Sequence, residues 1–239
     1  MELKQRTGRY VLYAIGEIFL VVVGILIALQ INNWNEGRKQ DKVRLELIEN
    51  LKADFQTTLS RLDQSIELGQ NVISGLRDLL KAASGDAPDT SVDEMRELVS
   101  NAFRGVVFQP AKGSYETALT TGSMALISDP VLNELFAEFE NQYERFEILS
   151  EVTIQENFMG PSFQLRERLG SVYLFNLNRP YRHQPDRYRL SDSELLEFLN
   201  RKETYAIFEN KQDMKIRTYS RLINMREIVQ EILTTLESL

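Results

Sequence analysis

The pattern of hydrophobic and polar positions changes character twice in the first third of the chain. From Val11 to Ile31 about 21 residues pass with Glu17 as their single charge. As a helix, that run is long enough to cross a hydrocarbon core of about 30 Å. From Glu36 to Ala83 there is no proline, and apolar residues return at heptad spacing. The seam reads Leu45, Ile48, Lys52, Phe55, Leu59, Leu62, Ile66, Gly69, Ile73, Leu76 and Leu80, nine of the eleven being apolar. This spacing predicts a long helix in a coiled coil or bundle. Gly37 alone threatens continuity with the apolar run; if the helix holds there, one helix covers about residues 11 to 83.

Beyond it the pattern predicts shorter elements. Ser84 to Asp89 reads as a turn. Ser91, with Glu94 three residues later, opens a short helix with a capping-box pattern. Residues 105–113 read as loop, and Ser114 is expected to cap a short helix that Gly122 ends. Asp129-Pro130 opens a long helix reaching about Asn157, with Leu132, Leu135, Phe139, Tyr143, Phe146 and Leu149 on its buried face. A further piece covers Ser162 to Leu169, and 170–190 reads as irregular. The last helix runs from about Lys202 to Leu239 with a stripe of Leu222, Met225, Val229, Ile232, Leu236 and Leu239. No strand pattern and no second span appear. The expected fold is all-α: a basic tail (1–9), a transmembrane helix (10–34), a long amphipathic stalk helix (36–83) and the remainder of a helical bundle (84–239).

The apolar run predicts membrane insertion, and its ends support this. Tyr10 and Tyr13 lie near one end and Trp34, the only tryptophan, near the other, with Asn32 and Asn33 beside it; this is the placement of interfacial belts. Lys4, Arg6 and Arg9 precede the run as in a signal peptide, but it exceeds the usual h-region and no small-x-small cleavage site follows, so an uncleaved anchor is expected. Lys/Arg counts on the two sides nearly tie, and the basic tail favours a cytoplasmic N-terminus with the helical domain outside.

Glu17 is the residue in the span that demands an explanation. Helical spacing places Tyr13, Glu17, Val21, Gly24 and Ala28 on one face. Gly24 and Ala28 form a small-xxx-small pair that lets two backbones approach closely. A charged side chain near the bilayer centre costs about 2.5–3.5 kcal/mol on insertion scales, so Glu17 is expected to turn toward other helices.

Composition removes most competing chemistry. With no cysteine, disulfides and thiol catalysis are excluded, and a net charge of -7 argues against a nucleic-acid footprint. His183 is the only histidine, so a zinc site lacks ligands. No HExxH, GxSxG, Walker A or GxGxxG pattern occurs. No catalytic residue, metal or cofactor is expected. Arg179, Arg182, Arg187 and Arg189, interleaved with Tyr181 and Tyr188, are a candidate loop for an anion or acidic partner.

Over Tyr13 to Glu36 the sequence YAIGEIFLVVVGILIALQINNWNE resembles a Bacteroidota family of single-span membrane proteins with a domain of unknown function. The resemblance takes in Glu17, Gly24, Gln30, Asn32, Asn33 and Trp34, and thins past Arg38 to Tyr115–Leu119–Gly122 and a helix with Leu132, Leu135 and Tyr143. It implies a mostly helical, single-span protein and a bacterial inner-membrane location, and supplies no catalytic residue. The expected function is that of a non-enzymatic, homo-oligomeric membrane protein acting as scaffold or interaction module. Its partners are the lipid bilayer, further copies of itself and another membrane protein. The alternative is an ion- or proton-coupled subunit that uses Glu17.

Overall fold

The computed structural model describes residues 2–127, 129–169 and 190–239, with the side chains of 2–15 left aside. Among these the fold is all-α, with no strand. α1 spans Glu2–Ser84 without interruption at Gly37. α2 covers Val92–Ala102, α3 Gly113–Thr121, α4 Pro130–Met159, α5 Pro161–Leu169, α6 Asp192–Leu199 and α7 Lys202–Glu237, with a 3-10 turn at Ser123–Leu126. The chain divides into two compact units, one of Met1–Leu51 with Gly113–Ser128, the other of Lys52–Lys112 with Asp129–Leu239.

Local chemistry sets the helix ends. α1 stops because Gly85 takes φ +83°, which lets Gly85 N–H reach Ala82 O at 3.2 Å and Asp86 N–H reach Lys81 O at 2.9 Å. The α2 capping box forms as the Ser91/Glu94 spacing predicts: Glu94 N–H donates to Ser91 Oγ at 3.2 Å and Ser91 N–H to Glu94 Oε2 at 2.8 Å. Asp129 Oδ1 accepts from Leu132 N–H at 2.8 Å, with Pro130 in the first turn of α4. Ser114 does not cap α3. That helix starts one residue earlier at Gly113, which puts Ser114 within its first turn.

In the first unit, Leu47, Ile48, Leu51, Ala118 and Ile127 are buried, whereas the apolar residues of α1 from Ile18 to Trp34 are largely exposed. The second unit is a bundle in which α4 packs principally on α7. Phe55 of α1 stacks on Phe136 of α4 at 5.4 Å between centroids and meets Phe139 edge-on at 5.8 Å. Asp63 of α1 accepts from Arg226 Nε of α7 at 2.6 Å. Farther along, Val72, Leu76 and Leu79 join Val99 of α2, Leu165 and Leu169 of α5, Leu195 of α6 and Phe208 of α7 in one core.

The buried seam of α1 corrects half of the one read from the sequence. Ile48, Phe55, Leu62, Gly69 and Leu76 are buried as expected, but the second column is Leu51, Thr58, Ser65, Val72 and Leu79. Leu80 is buried as expected too, whereas Lys52, Leu59, Ile66 and Ile73 are only half-buried and Leu45 is exposed. The cause is an extended strap, residues 104–112, lying against the helix. Thr58 Oγ1 donates to Ala111 O at 3.1 Å and accepts from Ala111 N–H at 2.9 Å. Arg61 Nη1 donates to Gln109 O at 3.1 Å, and Ser65 Oγ lies 3.1 Å from Val107 O. Alternate carbonyls of the strap thus face α1 and accept from its polar side chains. The intervening Phe108 and Pro110 are buried, Phe108 edge-on to Tyr143 and Phe146 of α4.

α4 shows a similar partial agreement. Leu132, Phe139 and Phe146 are buried, with Phe136 and Gln142 completing the face, while Leu135, Tyr143 and Leu149 sit at its half-buried margin.

A methyl added at Gly69 would lie 3.2 Å from Tyr219 Cδ2, so even alanine requires the Tyr219 ring to give by a few tenths of an ångström, and a larger side chain requires more. Gly69→Leu is therefore expected to cost about 1–3 kcal/mol by overpacking. Gly37→Ala meets open space and should leave stability unchanged or slightly raised. Thermal unfolding of both variants, followed by circular dichroism, checks the contrast.

Candidate functional site

The candidate site is built on α1, where the sequence concentrates its unusual residues. From Gly16 onward α1 has an 18-residue window of mean hydropathy 1.8, and none of that window is buried within the chain. This helix is long and apolar enough to cross a membrane. Glu17, Gly24 and Ala28 are all exposed, so among the described residues nothing of their own compact unit covers the face they share. A methyl built on Gly24 meets no atom within 4 Å. The close approach that Gly24 and Ala28 permit is therefore not used within that unit. Tyr13 is helical in its backbone, and its side chain lies outside the described residues.

At the far end Asn32, Asn33 and Trp34 are exposed, and the Arg38 guanidinium lies 5.1 Å from the centre of the Trp34 ring. Glu36 pairs with Lys39 at 3.7 Å, and Lys42 with Glu46 at 3.7 Å. The helix thus passes within about two turns from aliphatic side chains to an amphipathic aromatic, amides and the first paired charges. That sequence of groups suits the step from hydrocarbon to water.

The four arginines of the candidate loop, Arg179, Arg182, Arg187 and Arg189, lie outside the described residues, as does His183. Among the described residues no three His, Cys, Asp or Glu side chains gather where they could hold a metal ion.

Two residues that the sequence reading passed over are Lys211 and Lys215 of α7, both buried. Lys211 has its partners close by: it donates to Asn157 Oδ1, lies 3.8 Å from Glu156 Oε2 and sits 4.7 Å from the centre of the Phe103 ring. Burial nevertheless lowers its pKa to about 8, against the pull of Glu156 and with help from neighbouring Lys215 and Arg166. Lys215 is lowered as well, by burial. Nearby, the Tyr143 hydroxyl is pushed up to about 12, first by burial and then by Glu147. The missed signal was the α7 heptad itself. Read back from Leu222 in steps of four and three, it passes through Thr218, Lys215, Lys211, Phe208 and Thr204, all buried.

The chain matches, over residues 17–153, a family described as Family of unknown function (DUF6090). That stretch is more than half of its 239 residues. The chain belongs to this family. The DUF6090 match begins at Glu17, takes in Gly24, Ala28 and Trp34, continues through the strap and closes inside α4. It therefore joins the apolar helix and the front of the bundle in one family unit, and it transfers no activity. No curated protein matches the chain. No solved structure matches it either.

Proposed function

We propose that this DUF6090 chain is a non-enzymatic, single-pass membrane protein that self-associates through the Glu17–Gly24–Ala28 face of α1. Its helical bundle then serves as an interaction module for a partner, another membrane protein among the candidates. One observation carries this reading: the face that combines a carboxyl group with two small residues is exposed, with nothing of its own compact unit covering it among the described residues. In a bilayer the carboxyl group of Glu17 cannot be left to lipid, and a second copy of the same face supplies both close packing and a polar partner.

The location that fits is the inner membrane of a bacterium, in keeping with the resemblance to Bacteroidota proteins at Tyr13–Glu36. Lys4, Arg6 and Arg9 ahead of the span favour a cytoplasmic N-terminus and a periplasmic bundle. Against these stand Arg38, Lys39, Lys42 and Arg44 on the other side.

A variant pair tests the role of Glu17. In nanodiscs, Glu17→Ala is expected to weaken self-association at least tenfold, an effect of about 1.4 kcal/mol. Glu17→Gln keeps a hydrogen-bonding group and is expected to preserve the assembly, with no proton flux across liposomes for either protein. A wild-type flux that Glu17→Gln abolishes while assembly persists would replace this reading with the ion- or proton-coupled one.

A further inference from the structure

The strap, α4 and α7 enclose a cavity of about 420 Å³. Phe108, Tyr143, Phe146 and Ile154 give it apolar walls, and Ser150 and Lys215 are among its polar groups, with Thr153, Asn157, Thr218, Glu147 and Glu151. The volume lies in the range of small-molecule sites. We propose that this cavity binds a small monoanionic carboxylate with a ring-sized apolar body. The carboxylate pairs with Lys215 and Ser150, and the body lies against Phe108, Tyr143 and Phe146. This proposal concerns the bundle alone and does not depend on how α1 assembles.

Two unfulfilled groups point to such a ligand. Lys215 is only 5% exposed, yet it has neither an ion pair nor a hydrogen bond among the described residues. Lys211, one turn earlier on the same stripe, has an amide, a carboxylate and a ring around it. An ammonium group at the wall of such a cavity, on a side chain this deeply set and without a counter-charge, is costly, and the fold supplies one lysine with partners and leaves the other without. In the same lining, the Ser150 hydroxyl oxygen is out of contact with solvent and has no hydrogen-bond partner among the described residues. A carboxylate has two oxygens and can accept from both groups at once.

The lining also limits what else could enter. Lys215 disfavours a cation. Glu147 and Glu151, exposed side chains that also line the cavity, disfavour a highly charged anion such as a phosphate dianion. Three aromatic side chains favour a ligand whose remaining surface is apolar and flat.

The test uses the full chain in nanodiscs, with 2-naphthoate and its neutral isostere 2-naphthamide as probes. Binding is read by saturation-transfer NMR above the signal from protein-free nanodiscs. Wild type is expected to bind 2-naphthoate at least tenfold more tightly than 2-naphthamide. Lys215→Met should weaken 2-naphthoate at least tenfold and leave 2-naphthamide unchanged. Ser150→Leu, which fills the cavity and keeps Lys215, should abolish binding of both. Absence of 2-naphthoate binding to wild type overturns the proposal, as does equal affinity for the two probes. A folded Lys215→Met protein that binds like wild type overturns it too. Should Lys215→Met fail to fold, the probe comparison and Ser150→Leu decide the matter.

Discussion

Truncating Phe55 to alanine is expected to lower the free energy of unfolding of the bundle by about 3–5 kcal/mol, the usual cost of removing a buried aromatic side chain. Phe55 is only 2% exposed and bridges α1 to α4 through two rings, Phe136 and Phe139. Its loss removes apolar burial, two ring contacts and the packing around them. Since a domain of this size is typically stable by only about 5–15 kcal/mol, the effect is a large fraction of the whole. Leu45→Ala provides the contrast. Leu45 sits on the heptad seam read from the sequence, but it is 57% exposed, so its truncation should change stability by less than about 0.5 kcal/mol. Urea unfolding of the full chain in detergent, followed by near-UV circular dichroism, separates the two. Equal losses would mean that the seam in the structure is wrong.

Between pH 8 and 10 the bundle should become more stable, not less. Lys211 titrates near 8 in the folded protein, against an ordinary 10.5. Below pH 8 both folded and unfolded chains carry the ammonium group, and its burial counts fully against the fold. Between those values the folded chain has released the proton while the unfolded chain still holds it, so raising the pH favours the fold. The full span amounts to about 3 kcal/mol at most. The groups facing Lys211 are Glu156, which opposes the shift, and Lys215 and Arg166, which reinforce it. Lys215 titrates in the same direction. Tyr143 acts oppositely, because its raised pKa makes ionisation above pH 10 count against the folded state. Urea midpoints measured from pH 7 to 10 should therefore rise, and Lys211→Met should remove most of the rise. A flat or falling profile in the wild type would contradict the burial of this lysine.

The helices were legible wherever a local rule sufficed. Ser91 and Glu94 announced α2, Asp129-Pro130 announced α4, and the aliphatic stripe from Leu222 to Leu236 marked the core face of α7. The same Ser-x-x-Glu pattern at Ser191 and Glu194 caps α6, whose eight residues are too few for an apolar stripe to set its bounds. Burial was harder to read wherever a polar side chain belongs in the core. Thr58 and Ser65 are buried because the strap offers them carbonyls, a relation between residues more than forty positions apart that no heptad count contains. A seam chosen for apolarity slid instead onto Leu59 and Ile66, one position off. Lys211 and Lys215 were lost the same way, since a stripe read by hydrophobicity ends where its lysines begin. Of the candidate site, the shared face of Glu17, Gly24 and Ala28 follows from helix geometry alone, whereas the exposure of that face required the fold.

Cross-linking through the span tests the central claim most directly. The chain has no cysteine, so single cysteines report without background. Gly24→Cys and Ala28→Cys lie on the proposed face, and Leu26→Cys lies on the opposite side of the helix from Glu17. The three variants are oxidised in membranes and run on a non-reducing gel. Self-association through this face predicts efficient dimer bands at positions 24 and 28 and little at 26. Dimers at 26 as strong as those at 24 and 28, or none at any of the three, would contradict it.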